Sequence, residues 1–263
     1  MTRPPIVLTI AGSDSGAGAG VQADARTIHA CGGFACMAIT AVTAQSSRGV
    51  RRWRAEPAGL IAEQMRAVLE DLPVAAIKIG LLPGAAVVRA VVRELRRFAQ
   101  VPVVVDPVIG ASSGTQFLDE ASVRALRDEL LPCATLVTPN WPEAARLAGT
   151  EIRSFALAER AARVLARDLA TAVLVKGGHA AWSEPCGDVL VTPAGRGYRW
   201  SASRIETLNT RGTGCVLSSA IAVALARGAT LPQAVSRARG FLRRSLRRHR
   251  RDQWRGPGPA FPG

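Results

Sequence analysis

Short, continuous apolar runs alternate with amphipathic segments along most of the 263-residue chain. Apolar runs bounded by turn residues predict buried strands, and apolar residues that recur every three or four positions predict helices. The predicted strands are 6–10, 35–43, 74–79, 101–105, 134–137 and 172–175. The predicted helices are 21–28, 57–71, 87–98, 120–131, 154–169, 213–227 and 231–248, with one more directly after Glu143.

The alternation of strands and helices favours a mostly parallel sheet that is covered by helices on both faces. Two alternating segments, 188–191 and 197–200, flank a Pro-Ala-Gly-Arg turn and predict a small β-hairpin. Because no repeat or long linker divides the chain, we expect one α/β domain over residues 1–250. Residues 251–263 are basic and rich in Gly and Pro, and we expect them to form a disordered tail.

Composition excludes several classes of protein. Apolar residues make up 48% of the chain, which is enough for a packed core. No apolar run reaches about eighteen residues and the N-terminus has no signal-peptide pattern, so we expect a cytoplasmic protein without a membrane span. The five cysteines are an odd number without ligand spacing, so we expect reduced thiols and no zinc site.

The net charge of +14 comes almost entirely from arginine, since only Lys78 and Lys176 are lysines. Each lysine ends an apolar run, and a lysine at the carboxyl end of a parallel strand indicates a ligand crevice. The charge also suits a nucleic-acid-binding protein. Aromatic residues are only 5% of the chain and no recognition motif is present, so we expect no specific nucleic-acid partner.

A glycine-rich segment, Asn209 to Cys215, directly precedes an apolar helical pattern. Gly212, Thr213 and Gly214 leave backbone N–H groups uncovered at the positive end of that helix, where anions bind. Cys215 falls in the first turn, where we expect the pKa of its thiol to be lowered. A glycine-rich helix start with a small buried cysteine is the simpler interpretation of the same residues.

Polar residues follow the predicted strands at their carboxyl ends, which share one crevice in an open α/β sheet. They are Gly12, Asp14, Gln45, Lys78, Asp106, Asn140, Glu143 and Lys176. The pair Asn140 and Glu143 suits a hydrated Mg²⁺ ion, or alternatively a helix capping box. An anion site, two lysines, a metal pair and a thiol together predict phosphoryl transfer. The glycine spacings match neither a P-loop nor a dinucleotide-binding motif.

The chain resembles the hydroxymethylpyrimidine/phosphomethylpyrimidine kinases of thiamine biosynthesis, within the ribokinase-like superfamily, over about residues 6–245. The stretches that carry the resemblance are 9–24, 39–45, 78–82, 105–108, 113–114, 138–143, 175–179 and 209–215. The resemblance implies a ribokinase-like three-layer α/β/α fold with a central, mostly parallel sheet. It also implies ATP as co-substrate, Mg²⁺, a small pyrimidine substrate and a homodimer.

The resemblance further implies a role for each residue of the site. The pyrimidine pocket would be lined by Gly12, Asp24, Gln45, Leu81 and Val108. The residues Gly212, Thr213 and Gly214 would form the anion hole for the transferred phosphoryl group, and Cys215 would act as base toward the substrate hydroxymethyl group. The ATP phosphates would be bound by Lys176, Asp106, Asn140 and Glu143. The last two of these would also serve Mg²⁺.

Arg211 departs from the family, whose members usually carry histidine before Gly-Thr-Gly-Cys. An arginine there either adds a bidentate phosphate contact or covers the rim of the crevice. Other functions stay open beside the kinase of thiamine biosynthesis. They are a pyridoxal or pyridoxine kinase of the same superfamily, a non-catalytic pyrimidine-binding protein, and a nucleic-acid-binding protein.

Overall fold

A computed structural model describes residues 3–98, 100–110, 114–179, 186–248 and 255–260. Within these residues nine strands form one sheet, in the order β3-β2-β1-β4-β5-β6-β7-β8-β9. The strands are β1 (Ile6–Asp14), β2 (Phe34–Ser46), β3 (Gly49–Ala55), β4 (Val74–Ile79), β5 (Val103–Val105), β6 (Leu136–Val137), β7 (Ala172–Val175), β8 (Cys186–Val191) and β9 (Gly197–Ala202). The pairs between β2 and β7 in this order are parallel. The pairs that involve β3, β8 or β9 are antiparallel.

Helices cover both faces of the sheet. They are α1 (Gly20–Ala30), α2 (Ala58–Leu69), α3 (Ala85–Leu95), α4 (Glu120–Ala125), α5 (Trp141–Ala148), α6 (Phe155–Asp168), α7 (Thr213–Ala226) and α8 (Leu231–Arg248). One buried cluster joins α2 through α6 to the sheet, and a second joins α1, α7 and α8 to its other face. Neighbouring strand residues such as Val7 and Leu8 enter opposite clusters, as the alternation of side chains in a strand requires. The predicted three-layer α/β/α fold is confirmed.

Helix α7 is apolar around most of its circumference, and its residues 216–224 are all buried. A helix with this composition belongs inside a protein rather than on its surface. It packs on β1, β4 and β5 of the sheet and contacts helices α1 and α8, with its N-terminus at the carboxyl edge of the parallel strands. No helix of the described residues combines the length and apolar character that a bilayer span needs.

Strand β3 was absent from the sequence-based prediction. Its sequence, Gly-Val-Arg-Arg-Trp-Arg-Ala, carries three arginines because it pairs with β2 on one side only and forms the edge of the sheet. The predicted hairpin 188–200 is confirmed as β8 and β9, which extend the main sheet at its other edge. The predicted helix 120–131 continues from α4 as a π-helical turn over Leu126–Leu130.

The C-terminal segment 255–260 differs from the expected disordered tail. Residues Gly258, Pro259 and Ala260 are buried, and Pro259 forms a parallel β-bridge with Arg211. The contact uses backbone groups, so no apolar pattern in the sequence could indicate it. Residues 251–254 and 261–263 of the expected tail lie outside the described residues.

Candidate active site

Charged side chains from two strand ends meet the start of α7 at the carboxyl edge of the sheet. Asp106 follows β5 and Lys176 follows β7, and Nζ of Lys176 donates to Oδ1 of Asp106 over 2.6 Å. A Cβ added at Gly214 would lie 2.9 Å from Oδ2 of Asp106 and 3.2 Å from Nζ of Lys176. The predicted anion hole therefore touches this ion pair, as the common crevice requires.

The start of α7 is held open by glycine. Gly212 has a φ of +73°, and no side chain of the described residues caps the first turn. A Cβ at Gly212 would lie 2.1 Å from the carbonyl oxygen of Gly18, so both the conformation and the packing require glycine. The N–H groups of this turn lack partners inside the helix, which makes them available to an anion.

Asp14 organises the first glycine-rich loop. Its carboxylate accepts hydrogen bonds from the backbone N–H groups of Gly16, Gly18 and Ala19, at 2.9, 2.9 and 2.8 Å. The same carboxylate accepts a bond from Nη2 of Arg211 at 2.6 Å. Arg211 therefore pairs with this loop, an arrangement that neither sequence-based alternative for the residue had included.

The Cys215 thiol is a weaker acid than the sequence analysis expected. Burial raises its pKa to about 11, although the charge of Lys78 and a hydrogen bond from the Gly20 backbone act to lower it. The carboxylates of Asp24 and Asp106 act in the same direction as burial. The expectation of a lowered pKa is wrong, because the loss of hydration outweighs the helix start. At pH 7 Cys215 is therefore mostly the neutral thiol, and the thiolate is a small fraction.

A buried ion pair lies beneath the crevice. Nζ of Lys78 donates to Oδ2 of Asp24 over 2.8 Å, and both side chains are fully buried. Oδ2 also accepts from Thr9 at 2.6 Å, and Oδ1 accepts from Ser219 at 2.9 Å. Both carboxylate oxygens of Asp24 thus accept hydrogen bonds within the protein. The side chain is fully buried, so it does not line the predicted pyrimidine pocket directly.

Asn140 and Glu143 form the capping box at the start of α5. Oδ1 of Asn140 accepts from the Glu143 N–H at 2.9 Å, and Oε2 of Glu143 accepts from the Asn140 N–H at 2.8 Å. Burial raises the pKa of Glu143 to about 7; Lys176 acts to lower it, and Asp106 acts to raise it. The described residues contain no group of three or more His, Cys, Asp or Glu side chains arranged to hold a metal.

The remaining residues of the predicted pyrimidine pocket lie on β1, β2 and the ends of β4 and β5. Gly12 faces Leu81, since a Cβ at Gly12 would lie 3.3 Å from Cδ2 of Leu81. Gln45 is half-buried beside the first glycine-rich loop, where its backbone carbonyl accepts from Ser15 at 2.9 Å. Val108 is half-buried two residues after Asp106. Ser113 lies outside the described residues.

Two further residues support the site and had no role in the sequence-based prediction. Thr138 directly follows β6 and its hydroxyl donates to Oδ1 of Asp106 at 3.2 Å; its place at a strand end was a usable signal. Asp188 accepts from the N–H of Gly177 at 2.7 Å and from Nε of Arg239 at 2.6 Å. An aspartate inside a hairpin strand carries no comparable signal in the sequence.

Comparison with known proteins gives a consistent family. A family model described as phosphomethylpyrimidine kinase matches residues 14–259. The hydroxymethylpyrimidine/phosphomethylpyrimidine kinase of Rhizobium meliloti is 46% identical over 247 residues, which cover 92% of this chain and 90% of that protein. The thiamine biosynthesis bifunctional protein ThiED of Geobacter sulfurreducens is 42% identical over 241 residues. That match covers 92% of this chain and 49% of the relative, so the chain spans about half of the bifunctional protein.

Two solved structures share the fold over nearly the whole chain. The phosphomethylpyrimidine kinase of Clostridium difficile 630 has a TM-score of 0.80 and 34% identity, and covers 92% of this chain and 99% of its own. The pyridoxal kinase of Staphylococcus aureus in complex with pyridoxal has a TM-score of 0.87 and 27% identity, and covers 98% of this chain and 93% of its own. The same architecture therefore serves kinases with two different named substrates.

Proposed function

Because the chain belongs to the phosphomethylpyrimidine kinase family, we propose that its crevice phosphorylates 4-amino-5-hydroxymethyl-2-methylpyrimidine and then the monophosphate. The chain is a kinase of the ribokinase-like fold that uses ATP, as the sequence motifs predicted. One observation carries the proposal for the site. The contact between Gly214 and the Asp106–Lys176 pair sets an anion hole, a cation and a carboxylate side by side.

Lys176 and the start of α7 supply the positive charge for phosphoryl transfer. Burial lowers the pKa of Lys176, but Asp106 and Glu143 raise it to above its ordinary value, so the ammonium group stays charged. The N–H groups of Gly212–Gly214 add fixed dipoles at the start of α7. Such groups stabilise the charge on the three oxygens of the transferred phosphoryl group, which is most of what catalysis of this reaction needs.

Cys215 has a task in the first reaction that the second does not require. In the first, the hydroxymethyl oxygen bonds to the γ-phosphorus of ATP, the bond to the bridging oxygen of ADP breaks, and the hydroxyl proton passes to the Cys215 thiolate. In the second, the acceptor is a phosphate that carries about two negative charges at pH 7 and has no proton to lose. We therefore assign Cys215 as the base of the alcohol reaction.

Glu143 and Asn140, with Asp106 beside them, fit a hydrated Mg²⁺ ion. Mg²⁺ keeps several waters and binds through one or two carboxylates together with substrate phosphates. Since burial and Asp106 both raise the pKa of Glu143, a nearby cation would relieve the cost of its charge. When bound, the ion would neutralise charge on the ATP phosphates. The capping box is compatible with this role because water molecules can bridge its oxygens to the ion.

Gly12, Leu81, Gln45 and Val108 are the residues that we propose to line the pyrimidine pocket. The contact between Gly12 and Leu81, and the position of Gln45 beside the first glycine-rich loop, support this assignment. Asp24 would support this pocket indirectly, through its hydrogen bonds with Lys78 and Ser219. We also propose one domain over residues 1–250, against which the segment 255–260 packs, since the nine strands form one continuous sheet.

A comparison of acceptors tests the proposed substrate. The experiment measures kcat/KM for hydroxymethylpyrimidine and for pyridoxal at the same ATP concentration. We expect at least a tenfold preference for the pyrimidine, because the pyrimidine kinase of Rhizobium meliloti is 46% identical and the pyridoxal kinase of Staphylococcus aureus is 27% identical. A preference for pyridoxal would overturn the substrate while leaving the kinase fold intact.

The homodimer stays a proposal. Large apolar side chains on β2 are exposed, namely those of Phe34, Met37 and Val42. Exposed apolar surface of this kind is typical of an interface between proteins. Sedimentation velocity should give a dimer for the full chain, and Met37→Lys should shift the distribution toward the monomer. A monomer at all concentrations would contradict the proposal.

A further inference from the structure

The Arg211 side chain is enclosed by the first glycine-rich loop. Its guanidinium pairs with Asp14 at 2.6 Å, and the two side chains are only 11% and 3% exposed. A Cβ added at Gly18 would lie 3.1 Å from Cδ, Nε and Cζ of Arg211, and one at Gly16 would lie 3.3 Å from Nη1. The Arg211 side chain therefore packs directly against the backbone of Gly16 and Gly18, where a side chain on either residue would crowd it.

The Arg211 backbone is held from the other side by the C-terminal segment. Its N–H donates to the carbonyl oxygen of Gly258 over 3.0 Å, and its carbonyl oxygen accepts from the N–H of Ala260 over 2.9 Å. The segment also contacts the turn between β2 and β3, since a Cβ at Gly256 would lie 2.4 Å from the carbonyl oxygen of Ser47. Both hydrogen-bonding groups of the Arg211 backbone are thus satisfied by residues 258–260.

We propose that Arg211 is a positioning residue for the anion hole, and that residues 255–260 complete the active site by fixing its backbone. Arg211 directly precedes Gly212–Gly214, whose N–H groups must point at the transferred phosphoryl group. Gly212 has a positive φ, and because glycine has more conformational freedom than any other residue, it depends on its neighbours to stay in this one conformation. The Asp14 pair fixes one side of this junction and the C-terminal segment fixes the other.

The ion pair decides between positioning and direct phosphate binding. Asp14 neutralises most of the charge that Arg211 would offer to a phosphate, and the guanidinium is turned toward the loop. Arg211 therefore acts through the anion hole, which holds the transferred phosphoryl group in both reactions. When Arg211 is changed, kcat should fall by the same factor with the alcohol and with the monophosphate. This inference rests on the proposed kinase function.

The first experiment displaces or removes the C-terminal segment 255–260. Gly256→Val places a side chain where the Ser47 carbonyl lies, and a chain that ends at Trp254 removes the segment entirely. The matched controls are Gly59→Val, at an exposed glycine of α2 where an added Cβ meets open space, and a chain that ends at Ala260. We expect kcat to fall about tenfold to a hundredfold in the first pair, because misplacement by about 1 Å can cost a factor of 10². The controls should keep wild-type kcat.

The second experiment tests Arg211 and Asp14 with both acceptors. Arg211→Gln and Asp14→Asn should lower kcat for the alcohol and the monophosphate by the same factor, and Arg211→Lys should restore part of it. Hydrogen exchange of the backbone N–H groups in 209–217 should become faster in these variants, in Gly256→Val and in the chain that ends at Trp254. The exchange readout does not depend on turnover.

The outcomes separate the two levels of the argument. If the wild type forms no phosphorylated pyrimidine but the exchange responses appear, the proposed function fails and the structural coupling stands. If the wild type turns over and the variants keep its kcat and its exchange rates, the positioning role is refuted. A loss confined to the monophosphate reaction would also refute it, since that would show direct contact with the substrate phosphate.

Discussion

At Cys215, burial and the helix start act in opposite directions on the acidity of the thiol. The pKa of about 11 means that the thiolate is a small fraction at pH 7 and grows about tenfold with each pH unit. If the thiolate takes the proton of the hydroxymethyl group, kcat of the alcohol reaction should rise steadily between pH 7 and 10. The measurement is the pH profile of kcat at saturating substrates.

Cys215→Ala isolates the same role by removal. We expect the variant to lose about 10²–10⁴-fold in kcat with the alcohol, together with the alkaline rise, because it lacks the general base. The monophosphate reaction should fall less, since its acceptor needs no base. Cys133→Ala is the control, because Cys133 precedes β6 at the opposite edge of the sheet. A flat profile in the wild type would show that the thiol has no role as base.

Glu143→Gln removes a charge and keeps the cap, because glutamine also accepts a hydrogen bond at this position. The pKa of Glu143 is raised from 4.5 to about 7, so its contribution to stability is fully present below 4.5 and is lost as the pH rises through about 7. Above pH 7 the ligand-free variant should therefore unfold at a higher temperature than the wild type. The measurement is the melting temperature from pH 5 to 8, without Mg²⁺ or nucleotide.

The same variant tests the metal assignment. The Mg²⁺ concentration for half-maximal activity should be higher in Glu143→Gln than in the wild type. In the wild type this concentration should fall as the pH rises past about 7, because Glu143 becomes charged, and in the variant it should not. The pyrimidine KM should change little. Superimposable Mg²⁺ titrations would reduce Glu143 to a helix cap.

The positions of individual residues were predictable where a residue type and a strand end coincide. Lys176, Asp106 and Gly214 meet as the sequence indicated, because the carboxyl ends of parallel strands lie at one edge. The acidity of Cys215 was not predictable, since it depends on how much water the folded chain excludes. The partner of Arg211 was not predictable either, because Asp14 is 197 positions away in the chain.

At the scale of elements, the junction between the first glycine-rich loop and α7 is the most constrained contact. Gly212→Ala should lower kcat at least tenfold, because its Cβ would meet the Gly18 carbonyl at 2.1 Å. Gly228→Ala is the matched control at the other end of α7, with a φ of +77° and open space around it. Both variants should lose about 1 kcal/mol of stability from the left-handed conformation. Equal kcat values in the two variants would contradict the packing argument.

The Lys78–Asp24 pair links β4 and α1, and hydrogen bonds to Thr9 and Ser219 extend the link to β1 and α7. Removal of one partner leaves a buried charge unpaired, so Lys78→Met should cost about 3–5 kcal/mol in the free energy of unfolding. Lys78→Met combined with Asp24→Asn should cost less than the sum of the single changes. Urea unfolding of the four proteins gives this double-mutant cycle. Additive costs would mean that the pair does not stabilise the fold.

Elements were predictable where burial dictates an apolar pattern. The six parallel strands follow from continuous apolar runs, because both faces of the sheet are covered, and the helices between them follow from periodicity. Edge strand β3 and the bridge at Pro259 escape that logic, because each is held by backbone hydrogen bonds on one side and carries polar, Gly or Pro residues. Such segments can be predicted only when the position of the strand or loop that they pair with is known.

At the scale of the whole molecule, the parallel strands bring the anion hole, the lysine and the candidate pocket to one edge. The fold alone does not choose the acceptor, since a pyridoxal kinase shares it with a TM-score of 0.87. In the proposed pocket, the side chains around Gly12, Leu81 and Gln45 would choose the acceptor. The identity of the product is therefore the most direct test of what the chain does.

The decisive measurement is the mass of the products that form from hydroxymethylpyrimidine and excess ATP over time. A monophosphate should appear first, a diphosphate should follow, and one ADP should form for each phosphoryl group transferred. Cys215→Ala should slow the first product more than the second when each acceptor is supplied separately. ATP consumption without phosphorylated pyrimidine, or no ATP consumption with either acceptor, would contradict the account.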